Sequence, residues 1–184
     1  MRGHFVSAVS GAVIGVLLTA SVHGAEVAVT AGKLTRLADG VALLCKSKDA
    51  TNFKGYPLPK GTTPYVVSIS WQLAQSDSVL MTLSEEASSR MLLLASGRSH
   101  PPRAIGDDNP PPPPPGRALA PTDHWTRVSK LSAFKGGGRF FTMSPDWPRD
   151  FLFELPATSG VPEALRLKAI IKGTEYAVRC ELGR

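Results

Sequence analysis

Residues that carry catalysis and metal binding are scarce in this sequence. The chain has two cysteines, Cys45 and Cys180, and beyond residue 24 its only histidines are His100 and His124. No G-x-S-x-G or comparable nucleophile motif accompanies them. Two cysteines also cannot close a structural zinc site without further ligands. These shortages argue against a recognisable catalytic or metal centre, and we expect no cofactor.

Long apolar runs are lacking too, with one exception at the N-terminus. After the basic residue Arg2, an uncharged run extends from about residue 8 to residue 20 and is followed by small residues. Because this layout is typical of a secretory signal peptide, we predict one over residues 1–24, cut after Gly24 or alternatively after Ala25. An uncleaved anchor is the competing interpretation, but serines and glycines dilute the run below the roughly 20 apolar residues of a spanning helix. We expect a periplasmic or secreted protein without a stable membrane anchor.

Export determines how the two cysteines are interpreted. An exported chain meets an oxidising compartment, where a lone pair of cysteines is expected to form an intramolecular disulfide. A Cys45–Cys180 bond would enclose most of the mature chain. The loop-entropy model assigns so large a loop roughly 5 kcal/mol of stabilisation.

Acidic residues are outnumbered by basic ones. The chain carries 21 Lys and Arg against 15 Asp and Glu, a formal net charge of +6. Such a charge favours an acidic partner, which in the envelope means an acidic protein face or an anionic envelope component. The basic residues are dispersed and the chain carries an export signal, so we do not expect it to bind nucleic acid. Charge that serves only solubility is the simpler alternative.

Alternation with period two is the clearest structural signal. In YVVSISWQLAQ the residues Tyr65, Val67, Ile69, Trp71 and Leu73 fall on one face, opposite serine and glutamine. This pattern predicts a strand with one buried face. After the turn-like QSDS, the run VLMTL is predicted to be its hairpin partner. Short apolar runs beside glycine or proline predict further strands in GVALLCK, GRFFTM and FLFEL.

The C-terminal segment LRLKAIIKGTEYAVRCELGR predicts a hairpin with one apolar face, and two registers fit it. A loop at 172–173 sets Arg166 opposite Arg179, whereas a loop at 173–174 sets Arg166 opposite Glu181. Both registers turn the same side chains inward. Cross-strand charge pairing and the glycine at the first position of a type II′ turn favour the second register, which we predict.

Two segments fit a helix as well as a strand. SEEASSRMLLLASG has Ser84 as a possible N-cap and Gly97 beyond its end. TDHWTRVSKLSAFKGGG has a possible cap at Thr122 or Asp123 and ends in glycines. Strand interpretations of RMLLLAS and HWTRV remain open.

A proline-rich stretch from Ser96 to Thr122 holds nine of the sixteen prolines and few apolar side chains. Such a composition does not bury enough surface to offset its ordering entropy. If this stretch joined two domains, each would be near the lower size limit and would keep one unpaired cysteine. We therefore predict one domain over residues 25–184 with a disordered loop inserted at 96–122. Its fold class is mainly β, a disulfide-tied β-sandwich-like domain with one or two short helices.

KGGGRFFTMSPDWPRDF combines a large aromatic side chain with basic ones. Trp147, held between Asp146 and Pro148, is predicted to be an exposed anchor of the kind found at binding interfaces. Basic residues surround it in the sequence. We predict that a partner is contacted by Trp147, Arg139, Arg149 and Lys135. The alternative is that Trp147 folds back onto the core.

These observations predict a non-enzymatic binding protein of the bacterial envelope, acting as an adaptor, an assembly component or an inhibitor of the immunity type. Its partner would be a protein or an anionic component of the envelope. Two alternatives stay open. One is a hydrolase that acts on envelope glycans or peptides with His124 and a carboxylate, and the other is a structural surface protein in which the prolines serve as a spacer.

Overall fold

Thirteen strands make up the regular structure of the described residues. The computed structural model describes residues 26–37, 40–48, 56–74, 78–83, 91–106, 115–116, 125–128, 140–144 and 148–183. The strands are β1 (Val27–Thr30), β2 (Thr35–Arg36), β3 (Ala42–Lys48), β4 (Thr62–Gln72), β5 (Val79–Thr82), β6 (Leu92–Ala95), β7 (Arg98–His100), β8 (Ala104–Gly106), β9 (Trp125–Arg127), β10 (Phe140–Met143), β11 (Arg149–Pro156), β12 (Ala164–Ile171) and β13 (Thr174–Glu181). Within these ranges there is no helix able to cross a membrane.

The strands form two sheets that pack together. The first sheet has the order β1-β13-β12-β5-β10, and β6 also pairs with β12 and carries β7. The second sheet has the order β2-β3-β4-β11-β8-β9. Side chains of both sheets meet in one hydrophobic core, in which Trp71, Phe151 and Phe153 are the largest fully enclosed residues. The predicted fold class, mainly β and sandwich-like, is confirmed.

Strand β4 has the buried face that its alternation predicts. Val67, Ile69 and Trp71 are fully buried, and Tyr65 and Leu73 pack against the same core. The predicted hairpin partner is wrong: β4 lies between β3 and β11, whereas β5 pairs with β12 and β10 in the other sheet. Period-two alternation specifies which face of a strand is buried, but it carries no information about the neighbouring strand.

The register predicted for the β12–β13 hairpin is also wrong. The structure pairs Leu167 with Val178 and Arg166 with Arg179 across a two-residue loop at Lys172 and Gly173. Both loop residues have positive φ, 52° and 78°. That is the type I′ turn, whose twist matches that of the flanking strands. Turn geometry therefore outweighs the cross-strand charge pairing on which the prediction relied.

Each of the two facing arginines has its own carboxylate. The Nε atom of Arg166 lies 2.6 Å from Oε1 of Glu26, and the Nε atom of Arg179 lies 2.6 Å from Oε1 of Glu181. The hydrogen bond to Glu181 raises the pKa of the Arg179 guanidinium above its ordinary value. Like charges placed directly opposite destabilise a sheet, and here two glutamates relieve the repulsion.

The helix predictions are wrong wherever the described residues test them. The run in SEEASSRMLLLASG forms strand β6, and a turn at Ser96 and Gly97 leads into β7; residues 84–90 lie outside the described ranges. In TDHWTRVSKLSAFKGGG, strand β9 occupies Trp125–Arg127, and residues 129–138 lie outside them. Leu93 and Ala95 are fully enclosed and Leu92 is only 8% exposed. A run that is buried on both faces shows no period that separates a strand from a helix.

The loop predicted at 96–122 is wrong in its first part. Strands β7 and β8 lie in that interval, and β8 pairs with both β11 and β9. Of residues 107–122, the second part of the predicted loop, only Pro115 and Gly116 are described, and they lie in a turn. The predicted signal peptide at 1–24 lies outside the described residues.

The predicted disulfide is confirmed. Cys45 in β3 is bonded to Cys180 in β13, with their Cα atoms 6.7 Å apart and a sequence separation of 135. Both cysteines are buried, at 1% and 0% exposure. Because β3 and β13 belong to different sheets, the bond joins the two layers of the sandwich.

Candidate functional site

Of the four predicted contact residues, only Arg149 lies among the described residues. Trp147, Arg139 and Lys135 lie outside the described residues, as does His124 of the alternative hydrolase interpretation. Arg149 opens β11 opposite Ile69 of β4 and is half-buried. It directly precedes Asp150, which belongs to the surface described next.

The outer side of the second sheet presents an ordered array of side chains. Alternation along the strands sends Val67 and Phe151 to the core and their neighbours outward. The pairing register aligns these outward residues in two rows that cross five strands from β3 to β9. The first row is Lys46, Ser68, Asp150, Gly106 and Trp125; the second is Lys48, Val66, Leu152, Ala104 and Arg127. We call these two rows, with Tyr56 and the adjoining pair Arg103 and Glu154, the aromatic-basic face.

The centre of the aromatic-basic face is apolar. Val66, Ala104 and Leu152 form a cluster separate from the main core, and they are only 4%, 0% and 0% exposed. Half-buried Tyr56 and Trp125 pack against this cluster. The outer face of a two-layer antiparallel sandwich commonly carries polar residues, so an apolar floor capped by two aromatic rings is a distinct surface feature.

A glycine lets Trp125 lie close to the sheet. Gly106 of β8 is directly opposite Trp125 of β9. A Cβ atom at position 106 would be 3.1 Å from Cζ3 of the Trp125 ring and 3.0 Å from Cβ of Asp150. Both distances are shorter than ordinary van der Waals contact, so the position of the ring depends on the absence of a side chain at 106.

Arg127 and Tyr56 form a second aromatic element. The guanidinium carbon of Arg127 lies 5.9 Å from the centroid of the Tyr56 ring, within the range of a cation–π interaction. The loop before β4 supplies Tyr56, and β9 supplies Arg127. This contact holds an exposed cation over the Tyr56 ring, which itself packs on the apolar centre.

Ion pairs border the apolar centre. Nζ of Lys48 lies 2.6 Å from Oδ2 of Asp150, and Nε of Arg103 lies 3.1 Å from Oε2 of Glu154. Asp150 is only 8% exposed. Its other oxygen, Oδ1, is enclosed and has no hydrogen-bond partner among the described residues. The aromatic-basic face therefore combines fixed carboxylates with cations at the edge of an apolar centre.

A cavity lies elsewhere in the described part of the sandwich. The described residues line a cavity of about 180 Å³ at one end of the sandwich, where Val41 and Leu73 of the second sheet meet Ile171 and Tyr176 of the first. They hold no group of three His, Cys, Asp or Glu side chains placed to share a metal ion. The cavity is also lined by Lys172, and Tyr176 is its one aromatic residue, whereas the outer face brings together two aromatic rings and two ion pairs.

Sequence reasoning missed Tyr56, Trp125 and Arg127 as functional residues. A signal for two of them was present, because a strand interpretation of HWTRV puts Trp125 and Arg127 on one face. Tyr56 has no comparable signal, since it reaches the face from a loop.

No protein-family model matches this chain, and no curated protein matches it significantly in sequence.

Proposed function

We propose that this chain is an exported, non-enzymatic binding protein of the bacterial envelope, and that it contacts its partner through the aromatic-basic face. One observation carries the proposal: Trp125, Tyr56 and Arg127 are gathered on a shared apolar floor on the outside of the sandwich. Trp, Tyr and Arg are the residue types that most often dominate binding energy at interfaces.

The layout of the face supports a role in binding. A binding interface typically has an apolar, well-packed centre and a polar rim. Here the rings of Tyr56 and Trp125, packed on buried Val66, Ala104 and Leu152, supply the centre, and the pairs of Lys48 with Asp150 and of Arg103 with Glu154 supply the rim. The ion pairs also hold long side chains in place before a partner arrives, which lowers the entropy lost on binding.

The sequence-predicted contact residues fit the same proposal. Arg149 and Asp150 are consecutive in β11, and Asp150 lies in the first row of the face. The segment that contains Lys135, Arg139 and Trp147 thus runs directly into the aromatic-basic face along the chain. We propose that these residues extend the contact surface.

Affinity capture tests the proposal. Mature protein, residues 25–184, is immobilised and exposed to an envelope extract of the source bacterium, and retained components are identified by mass spectrometry. Trp125→Ala and Arg127→Ala should each reduce retention of the same component at least about 10-fold, as expected for residues at the centre of an interface.

The matched control is Arg98→Ala. Arg98 is an exposed arginine of β7 in the first sheet, so this variant loses the same charge on the other layer. Thermal unfolding should show that all three variants are folded. Retention that survives both face variants at the wild-type level would overturn the proposal.

A further inference from the structure

We infer that a second surface of this protein, at the opposite edge of the second sheet from Trp125, binds an anionic lipid bilayer and holds the protein against the membrane surface. It consists of Lys33, Leu34, Arg36, Leu44 and Lys46, and we call it the basic-apolar corner. Strands β2 and β9 are the two ends of the sheet order, so the corner is separate from the rings of the aromatic-basic face and shares only Lys46 with it. The inference goes beyond the proposed partner contact and does not depend on it.

Strand pairing brings two leucines together on the outer side of this edge. Arg36 of β2 lies opposite Ala42 of β3. Leu43 belongs to the core, so alternation turns Ala42 and Leu44 to the outer side of the sheet. The same register, continued by one pair, places Leu34 beside Leu44. Both leucines therefore face outward, in the same direction as Arg36.

The pair of leucines is accessible. Leu34 is 48% exposed, and it is one of three large hydrophobic side chains that are exposed in the described part of the chain. Leu44 is half-buried beside it. Isolated exposed leucines are common on proteins, but two that adjoin at a sheet edge leave apolar surface in water that a bilayer interface would cover. The corner therefore has an apolar centre that a lipid surface can bury.

Cations adjoin the leucines. Lys33, Arg36 and Lys46 are exposed, and none of them has a carboxylate partner among the described residues. Residues 27–48 contain four basic side chains and one acidic one, so little negative charge offsets them. Near an anionic bilayer, each lysine or arginine strengthens binding about 5-fold. Three such residues give the corner the charge that an anionic lipid surface attracts.

The position of the corner favours a flat surface over a shaped partner. Strand β2 is the outermost strand of the second sheet, so side chains there lie at the side of the sandwich. A stable protein interface buries about 800 Å² on each partner, more than five side chains supply. A soluble polyanion would contact the cations but would gain little from the leucines. At a bilayer interface the leucines enter the acyl region while lysine and arginine meet the headgroups, so both parts of the corner contribute.

Vesicle flotation of the mature protein, residues 25–184, tests the inference. Vesicles of phosphatidylglycerol and phosphatidylethanolamine in equal parts are anionic, whereas phosphatidylcholine vesicles are neutral. The protein should float with the anionic vesicles and not with the neutral ones. Binding should fall at least about 5-fold when the ionic strength rises from about 0.05 M to about 0.5 M, because exposed charges are screened.

Matched charge variants separate the corner from the net charge of the protein. Lys33→Gln combined with Arg36→Gln removes two charges from the corner and should weaken binding at least about 10-fold. The control combines Lys60→Gln with Arg98→Gln. Both control residues are exposed, before β4 and in β7, so the same charge is lost away from the corner. This control should change binding by less than about 3-fold, since charges beyond the screening length contribute little.

A leucine variant isolates the apolar contribution. Leu34→Ser keeps every charge and should weaken binding at least about 3-fold, because it removes apolar area that the bilayer would cover. Its control is Val161→Ser, in the loop before β12, where the valine is 70% exposed. That control should bind as the wild type does. Thermal unfolding should show that all these variants are folded.

Three results would overturn the inference: no preference for anionic vesicles, an equal loss of binding in the two double charge variants, or binding that Leu34→Ser leaves intact. The last result would assign the corner to a soluble polyanion. Trp125→Ala should leave vesicle binding unchanged. If envelope capture depends on Trp125 while the anionic vesicles are not bound, the proposed function stands and the lipid inference fails. Vesicle binding that follows the corner variants, with envelope capture insensitive to Trp125 and Arg127, would support the lipid inference and reject the proposed partner contact.

Discussion

At the scale of single residues, Tyr65 shows how position in the sandwich changes the chemistry of a side chain. It belongs to the buried face of β4 but lies at the edge of the core. Burial raises the pKa of its phenol above the ordinary value of 10.0, and a hydrogen bond with the side chain of Ser47 partly opposes the rise. Burial dominates because the phenolate loses more hydration than one hydrogen bond restores.

This pKa shift predicts a loss of stability at alkaline pH. Because the folded-state pKa lies above the unfolded-state value of about 10, the contribution of the neutral phenol is fully present below pH 10 and is lost as pH rises through the folded-state value. Denaturant unfolding at a series of alkaline pH values should show a shallower fall in stability for Tyr65→Phe than for the wild type. Ultraviolet difference titration should show a tyrosine signal with a pKa above 10 that is absent from Tyr65→Phe. Identical pH slopes for both proteins would contradict this prediction.

At the scale of elements, the β12–β13 hairpin shows a turn that sets the register of a whole strand pair. Lys172 and Gly173 both adopt positive φ. Glycine tolerates this region without strain, whereas lysine does so at a cost and asparagine at a smaller one. The type I′ turn therefore rests mainly on Gly173.

The geometry of this turn predicts that two substitutions change the free energy of unfolding in opposite directions. Gly173→Ala should lower the free energy of unfolding by roughly 1–2 kcal/mol, since a Cβ is disfavoured in the left-handed region. Lys172→Asn should raise it by up to about 1 kcal/mol, because Asn-Gly is a preferred type I′ pair. Urea unfolding measures both. A destabilising Lys172→Asn together with a neutral Gly173→Ala would show that the turn does not control the hairpin.

The elements also show how far the sequence predicts the fold. The buried face of β4, the inward residues of the β12–β13 hairpin and the strands in GVALLCK, GRFFTM and FLFEL were all predicted correctly, because each follows from local pattern. The partner of β4 and the strand nature of β6 were not. Strand pairing depends on residues far apart in the sequence, and a doubly buried run such as Leu92–Ala95 has no local period.

The aromatic-basic face was unpredictable for a related reason. Its rows draw single residues from five strands, so Lys46 and Trp125 share a row although they lie in β3 and β9. Even a correct strand prediction for HWTRV would not have placed Gly106 beneath Trp125. The four predicted contact residues come from one continuous segment, and of these only Arg149 is placed.

At the scale of the whole molecule, the Cys45–Cys180 bond connects the two layers. Replacing both cysteines by alanine should reduce the free energy of unfolding by about 2–5 kcal/mol, because the bond closes a large loop, with a sequence separation of 135. Urea unfolding of this variant, compared with the wild type before and after reduction, measures the effect. Reduced wild type and the double variant should agree, and full stability in both would contradict the prediction.

The same bond predicts the behaviour of a cut chain. Trypsin cleavage after Arg117, within the proline-rich stretch, should give two fragments that migrate together in non-reducing electrophoresis and separate after reduction. Separation without a reductant would instead favour two independent domains.

The parallel pairing of β1 with β13 has a consequence for the order of events during synthesis. Residues 27–30 are synthesised long before their partner strand, 174–181. Until that strand is made, β1 has no strand to pair with, and this edge of the first sheet is missing. Contacts this far apart in sequence make folding slow. The first sheet can therefore be completed only after β13 has been synthesised, and β1 stays unpaired until then.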